Sequence, residues 1–454
     1  MYRFSKYRAE YKANLKLAFP VVLSQLGQVV VQLADNIMVG QYGGDNSLPL
    51  AAASFGGSVF FLINIVCMGL TFGITPIVGE LFVQGRMKEA SKYLGNSLVL
   101  FPMIGLLAMG LQLLLIPLMS YMGQPEEVVA LAIPYYKTLV WGMIPIMVFF
   151  VFKQFLEGLG NTQTTMYIVI LCNTINIILN YALINGVWGA PELGVLGAGL
   201  ATLVSRVLQA AIIFIFFLSM KRFKVYLDNF KFKNLERRDS VKLVKIGLPI
   251  SSQVFFECSA FVISSILMGY FGANIIGANQ IGVSLMNCAF MIVLAVGSAT
   301  TIRISHCYGT RDFERMKLAS SAAYHLALVW NSITAIAFIT LQSILPQLFT
   351  SNAEMIEMAS LLLVFIALFQ IPDGLQCISI GILRGMQDVK IILPISVFAY
   401  WILNIPVGCL CAFLFGMGPQ GLYIGFIVGL STAAVLLYHR IKCQQHRLIS
   451  GGCN

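Results

Sequence analysis

Apolar runs of about twenty residues recur along this chain from one end to the other, each long enough to cross a hydrocarbon core about 30 Å thick. No water reaches backbone groups in lipid, so such segments must be helices or the strands of a closed barrel. A barrel would alternate polar and apolar residues over segments of about ten residues, and these runs are longer and continuous. Of 454 residues, 58% are hydrophobic and only 11% charged. A soluble domain carries roughly 25% charged residues, so this chain has too few to cover a water-facing surface. The expected fold class is an all-α membrane protein of about twelve transmembrane helices. The spans are placed near 15–41, 48–73, 93–119, 131–155, 162–186, 195–220, 246–271, 275–300, 318–348, 358–383, 390–415 and 420–439. The first run exceeds a signal-peptide core and precedes no small-residue cleavage site, so it is read as a retained helix.

The net charge of +10 suggests nucleic acid until its placement is considered. Lys and Arg fall at 3, 6, 8, 12 and 16, at 86, 88, 92 and 153, throughout 221–245, and at 303, 311, 315, 317, 384, 390, 440, 442 and 447. In a twelve-span chain all of these lie on one side of the membrane; Lys137 and Arg206 do not. The positive-inside rule then puts both termini and segment 221–245 in the cytoplasm of a multi-pass inner (plasma) membrane protein. The basic excess becomes a topology signal and a contact for anionic headgroups. No nucleic-acid partner is expected, because no binding module is present. The ten cysteines are scattered without ligand spacing, and the histidines at 306, 325, 439 and 446 form no H-E-x-x-H or i, i+4 pair. Neither a disulfide framework nor a transition-metal site or cofactor is expected.

The basic stretch 221–245 separates two apolar blocks. It sets the expected organisation: a six-helix lobe over 1–220, a cytoplasmic linker over 221–245, a second six-helix lobe over 246–440 and a cytoplasmic tail over 441–454. Pro20, Gly40 and Gly43 recur as Pro249, Gly269 and Gly272, each displaced by 229 residues. Leu156, Gly158 and Gly194 recur as Leu383, Gly385 and Gly421, displaced by 227. A duplicated six-helix unit explains consistent offsets. An even number of spans per unit makes the halves run the same way, with a pseudo-two-fold axis along the membrane normal.

Three carboxylates lie well inside spans, where a charge costs about 3 kcal/mol on insertion scales. They are Asp35, Glu257 and Asp373. On helix 1, Ser24, Gln28, Gln32 and Asp35 share one face, and helix 5 aligns Asn173, Asn176 and Asn180. These stripes predict a polar pocket around Asp35, although interhelical hydrogen bonding uses the same amides. In the second half Gln253 and Glu257 share a face of helix 7, helix 8 offers Gln280, Ser284 and Asn287, and helix 10 offers Gln370, Asp373 and Gln376. Pro372 deprives the Leu368 carbonyl of its donor. Oxygens of this kind suit a small hard cation such as Na+. No basic residue in these spans is expected to pair with both acids, so they titrate or bind a cation. Glu80 and Glu157 read as headgroup-level or loop contacts near cytoplasmic helix ends.

At this point the residues resemble a known family. LAFPVVLSQLGQVVVQLADNIMVGQYG, NTINIILNYALINGVWGAPELGVLGAG, GLPISSQVFFE and FQIPDGLQCISIGILRGMQD look like helices 1, 5, 7 and 10 of the multidrug and toxic compound extrusion family, NorM type. The resemblance covers essentially the whole chain. It implies two six-helix lobes around a central cavity that opens alternately to each side, and antiport of a cation against amphipathic, often cationic organic compounds. It makes Glu257 and Asp373 the coupling acids, and the polar face of helix 8 adds Asn287 and Gln280 to the expected cation site. It also matches Asp35, Asn176 and Asn180 to the polar site of the first lobe, to which the polar face of helix 1 adds Gln32. Sodium-binding members tend to carry a Tyr four residues before the helix 10 Asp, and this chain has Phe369. Proton coupling is therefore open alongside sodium. The expected partners are small organic substrates and the lipid bilayer, around a monomer that is not an enzyme. A flippase for lipid-linked saccharides is the nearest rival, but its cavity would carry cations to meet pyrophosphate. Membrane-embedded enzymes are disfavoured by the absence of D-D-x-x-D, G-x-G-D and H-E-x-x-H.

Overall fold

A computed structural model describes residues 2–42, 47–228 and 236–450. Helix α1 (Tyr2–Tyr42) runs 41 residues, about 60 Å at 1.5 Å per residue, so its basic first turns extend well beyond what a bilayer core can hold. Helices α2 (Leu48–Thr71) and α3 (Ile74–Val83) form one span. Next come α4 (Met87–Leu114) and a single turn, α5 (Ile116–Met119). Helices α6 (Glu126–Trp141) and α7 (Met143–Gly158) meet at Gly142 with a 40° bend. They are followed by α8 (Thr162–Asn185), α9 (Val195–Ser219) and the short α10 (Lys221–Asp228). The second half opens with α11 (Arg237–Met268), α12 (Ala273–Gly309), α13 (Phe313–Thr340) and α14 (Ala353–Gly385). Its next span, Ile392–Leu414, strings α15 (Ile392–Ser396), a π-helical stretch Val397–Asn404, α16 (Ile405–Cys409) and a second π-helical turn together. Helix α17 (Pro419–Ile449) ends the described chain. Eleven helices are long and apolar enough to span, and the bent α6–α7 pair makes twelve among the described residues. Each expected span has its counterpart.

The helices gather into two compact units, Leu23–Ser251 and Met1–Val22 with Ser252–Asn454. This division differs from a cut at the 221–245 linker. Each unit includes the start of a helix, α1 or α11, whose remainder belongs to the other. Leu23 and Ser252 are separated by the same 229-residue step that relates Pro20 to Pro249. The first turns of α1 are fixed to the second unit by a buried ion pair: Arg303 donates to the Glu10 carboxylate, to Glu10 O at 2.9 Å and to Asn14 Oδ1 at 3.0 Å. The repeat residue Gly43, part of the expected linker (229–235) and the end of the tail (451–454) lie outside the described residues.

The duplication extends to backbone hydrogen bonds. After α3, the Gln84, Gly85 and Arg86 N–H groups donate to Glu80, Phe82 and Leu81; after α12, Thr310, Arg311 and Asp312 donate to His306, Tyr308 and Cys307 in the same pattern. Leu159, Gly160 and Asn161 after α7 are likewise matched by Met386, Gln387 and Asp388 after α14. Each turn needs one left-handed residue. The first half uses Gly85 (φ +71°) and Gly160 (φ +78°), the second Arg311 (φ +56°) and Gln387 (φ +59°). A side chain in that conformation costs roughly 1 kcal/mol. A Cβ at Gly85 would meet nothing within 4 Å, so the expected loss of about 1 kcal/mol in Gly85→Ala is backbone strain alone. Arg311→Gly should be neutral or slightly stabilising. Thermal melting of the two purified variants checks the contrast, and equal destabilisation would refute it.

Candidate cation-coupling site

Three helices of the second unit build a buried polar cluster around Glu257. Gln253, one turn earlier on α11, donates Nε2 to Glu257 Oε2 at 2.5 Å. Gln376 on α14 donates Nε2 to Oε1 at 3.4 Å. Tyr400 Oη lies 3.1 Å from Glu257 Oε1 and 2.6 Å from Gln376 Oε1, and its one proton serves one acceptor at a time. Tyr400 comes from the π-helical stretch, where the Ile405 N–H bonds back five residues to Tyr400 O. Pro406, which has no N–H, follows immediately. Wide turns of this kind recur at functional sites.

Asp373 sits one turn before Gln376, buried and within electrostatic range of Glu257. Among the described residues its Oδ1 is buried without a hydrogen-bond partner, as are Gln370 Oε1 and both amide atoms of Asn331. Asn331 on α13 reaches Gly374 so closely that a Cβ there would overlap its Nδ2. Gln370 Nε2 donates to Thr334 Oγ1 at 2.8 Å. Unpaired oxygens beside two carboxylates are costly in a low-dielectric interior. A small cation or a proton offsets that cost.

The first unit holds a smaller cluster. Asn180 Nδ2 donates to the Asp35 carboxylate and, at 3.1 Å, to Asn176 Oδ1. Asn176 and Asn180 are buried, and Asp35 is half-buried. Gln28 and Gln32, expected on the same face, are exposed, and no hydrogen bond joins Gln32 to this cluster among the described residues.

Several expected placements change. Gln280 and Asn287 are exposed, and among the described residues no hydrogen bond joins them to either acid. The neighbouring Asn279 turns inward instead, accepting from Tyr423 Oη at 2.9 Å and donating to Ser265. A cation does approach the acids: Arg384, assigned above to a loop, ends α14 with Nη2 donating to Gln253 Oε1 at 2.8 Å. Glu157 is a buried residue paired with Lys153 at 3.9 Å rather than a headgroup contact. Phe369 is fully buried and packs on Tyr423 and Phe426, at ring-centroid distances of 5.9 and 5.8 Å. Tyr400, Arg384 and Asn331 escaped the sequence reading. For Tyr400 the available signal was the proline-rich eleventh span; for Arg384 it was its place one residue inside the helix end.

The described residues contain no group of three His, Cys, Asp or Glu side chains that could hold a metal ion. The nine cysteines among them are free thiols.

Comparison with known proteins agrees with this architecture. A sequence model of the MatE family matches twice, over residues 20–182 and 249–410, which brackets the duplicated unit. A "Probable multidrug resistance protein NorM" of Xylella fastidiosa is 30% identical over 98% of this chain and 95% of its own length. One from Rhizobium meliloti is 31% identical over 96% of this chain and 94% of its own. A MOP superfamily transporter from Pyrococcus furiosus superposes with a TM-score of 0.87 at 21% identity, covering 97% of this chain and 96% of that one. The Vibrio cholerae MATE transporter VcmN, in its bent form, superposes at 0.85 and 21% identity, covering 98% and 99%. With both halves matched and relatives aligned almost end to end, this chain is a member of the MatE family.

Proposed function

We propose that this protein is a cation-coupled exporter of amphipathic, often cationic organic compounds, working by alternating access and not as an enzyme. The observation that carries the reading is the pair of membrane-embedded carboxylates in one unit, Glu257 held by three donors and Asp373 with an unpartnered oxygen. An intramembrane acid without a full set of partners is a site where an ion binds and leaves. Relatives named multidrug resistance proteins supply the substrate class. The oxygens of Glu257, Asp373, Gln376 and Tyr400 form an all-oxygen donor set that suits Na+, and protons compete for the same carboxylates. Cationic-dye uptake into everted membrane vesicles, whose lumen stands for the outside of the cell, tests the reading. Uptake should follow an imposed ion gradient and cease when it is dissipated; gradient-independent or absent uptake refutes it.

The expected setting is the inner membrane with both termini in the cytoplasm. A single cysteine at exposed Lys224 on α10, or at Asn229 outside the described residues, in a cysteine-depleted background should resist an impermeant thiol reagent in cells with an intact inner membrane. It should react after lysis. Labelling before lysis reverses the topology.

A further inference from the structure

The start of α11 sorts its charges by face. Glu236 and Asp239 look across a pocket towards Glu89, Lys92 and Tyr93 of α4. Lys92 Nζ lies 2.8 Å from Glu236 Oε1, and Ser240 donates to Asn96 Oδ1 at 3.1 Å. Leu243, further along this face, is fully buried. The other face carries Arg237, Arg238, Lys242 and Lys245, all exposed, with Val241 among them. These five residues line an open pocket of about 580 Å³ within the first unit. Arg238 and Lys242 border both pockets, whereas Arg237 and Lys245 belong to the basic one alone. Among the described residues no carboxylate lies within 4.0 Å of any of these four cations.

Residues 248–268 contain one charge, Glu257, and span about 30 Å as a helix, the thickness of a hydrocarbon core. Lys245 therefore lies at the membrane boundary, with the other three cations in the headgroup layer beyond it. Leu248, exposed and seven residues from Val241, carries the same face into the apolar layer. The duplication repeats the arrangement: Arg8, Glu10, Lys16 and Phe19 stand 229 residues before Arg237, Asp239, Lys245 and Leu248. On α1, too, the acid turns inward, to Arg303, while Arg8, Lys16 and Phe19 are exposed. We infer that the pocket on α11 is a discrete site for the phosphate of an anionic phospholipid, with an acyl chain along Val241 and Leu248. Unpaired guanidinium and ammonium groups suit a phosphodiester, and basic pockets on the cytoplasmic side take anionic headgroups. A soluble anion would gain the charges but not the apolar contact below them.

Native mass spectrometry of the full-length protein, released from micelles with equal amounts of phosphatidylglycerol and phosphatidylcholine, counts the lipids it retains. Wild type should keep phosphatidylglycerol in preference, and Arg237→Gln with Lys245→Gln should lose one retained molecule of it per protein. Lys317→Gln with Lys390→Gln removes two exposed cations elsewhere and should retain the wild-type number. Arg237→Lys with Lys245→Arg keeps both charges in place and should retain it as well. Thermal melting of every variant in phosphatidylcholine alone verifies the fold. Added phosphatidylglycerol should then raise the melting temperature of wild type more than that of the Arg237 and Lys245 glutamine pair. Equal losses in the two glutamine pairs would reduce the effect to net charge and overturn the inference, as would wild type without a preference. Displacement of the lipid by millimolar inorganic phosphate would make this a soluble-anion site and overturn it too.

Discussion

Asp373→Asn and Glu257→Gln should each reduce ion-driven efflux to the level of protein-free liposomes, while the protein remains inserted and folded. Neither change burdens insertion, since both remove a charge from the membrane interior. Their effects on stability should differ. Asp373 Oδ1 has no partner to lose, so an amide there leaves the hydrogen bonding of the cluster essentially as it was. Glu257 receives Gln253 Nε2, Gln376 Nε2 and Tyr400 Oη on its two oxygens. A glutamine must turn its own NH2 towards at least one of those donors, so Glu257→Gln should cost about 1 kcal/mol more than Asp373→Asn. Efflux of a cationic dye in proteoliposomes gives the first readout and thermal melting the second. Wild-type export by both variants would remove these acids from the coupling mechanism.

What could be read before the fold was seen divides along physical lines. Span number and the duplication were legible because each follows from a one-dimensional signal: apolar length, charge placement and a constant offset. The acids were legible because a carboxylate within an apolar run has few inexpensive explanations. Helix rotation was not. Gln280, Ser284 and Asn287 do share a face, but periodicity states only that they lie together, and the inward position belongs to Asn279. Gln32 is likewise exposed on the helix that carries Asp35.

Boundary placement accounts for Arg384. One residue beyond the predicted end of helix 10 it would be a loop cation, and the helix instead continues to Gly385. That displacement moves a positive charge onto Gln253 and so into the company of Glu257. Tyr400 depends on a π-helical register that no helical periodicity anticipates. The unit division was hidden for another reason. Composition marks the hydrophilic stretch between the halves, whereas packing divides the chain within α1 and α11.

The coupling ion gives the last large effect: an inward sodium gradient at symmetric pH, with membrane potential clamped, should drive substrate out of proteoliposomes. The acids stand close enough to influence each other, so their protonation is a property of the pair. Sodium and protons neutralise the same charges and must compete. Lowering the pH then raises the sodium concentration needed for half-maximal export, by up to about tenfold per pH unit where one proton is exchanged for one ion. Raising the pH removes the competitor until the carboxylates are fully ionised, and the dependence flattens. Tyr400 supplies a phenol oxygen beside Glu257, whereas Phe369 carries none. Phe369→Tyr adds a hydroxyl next to Tyr423 and Phe426, within the apolar core of the second unit. It should therefore raise apparent sodium affinity only if that hydroxyl turns towards Asp373, one helical turn away. Efflux under a proton gradient in sodium-free buffer, with none under the sodium gradient, would make the ion a proton. The same pair of acids would then carry it, with protonation itself as the loading step.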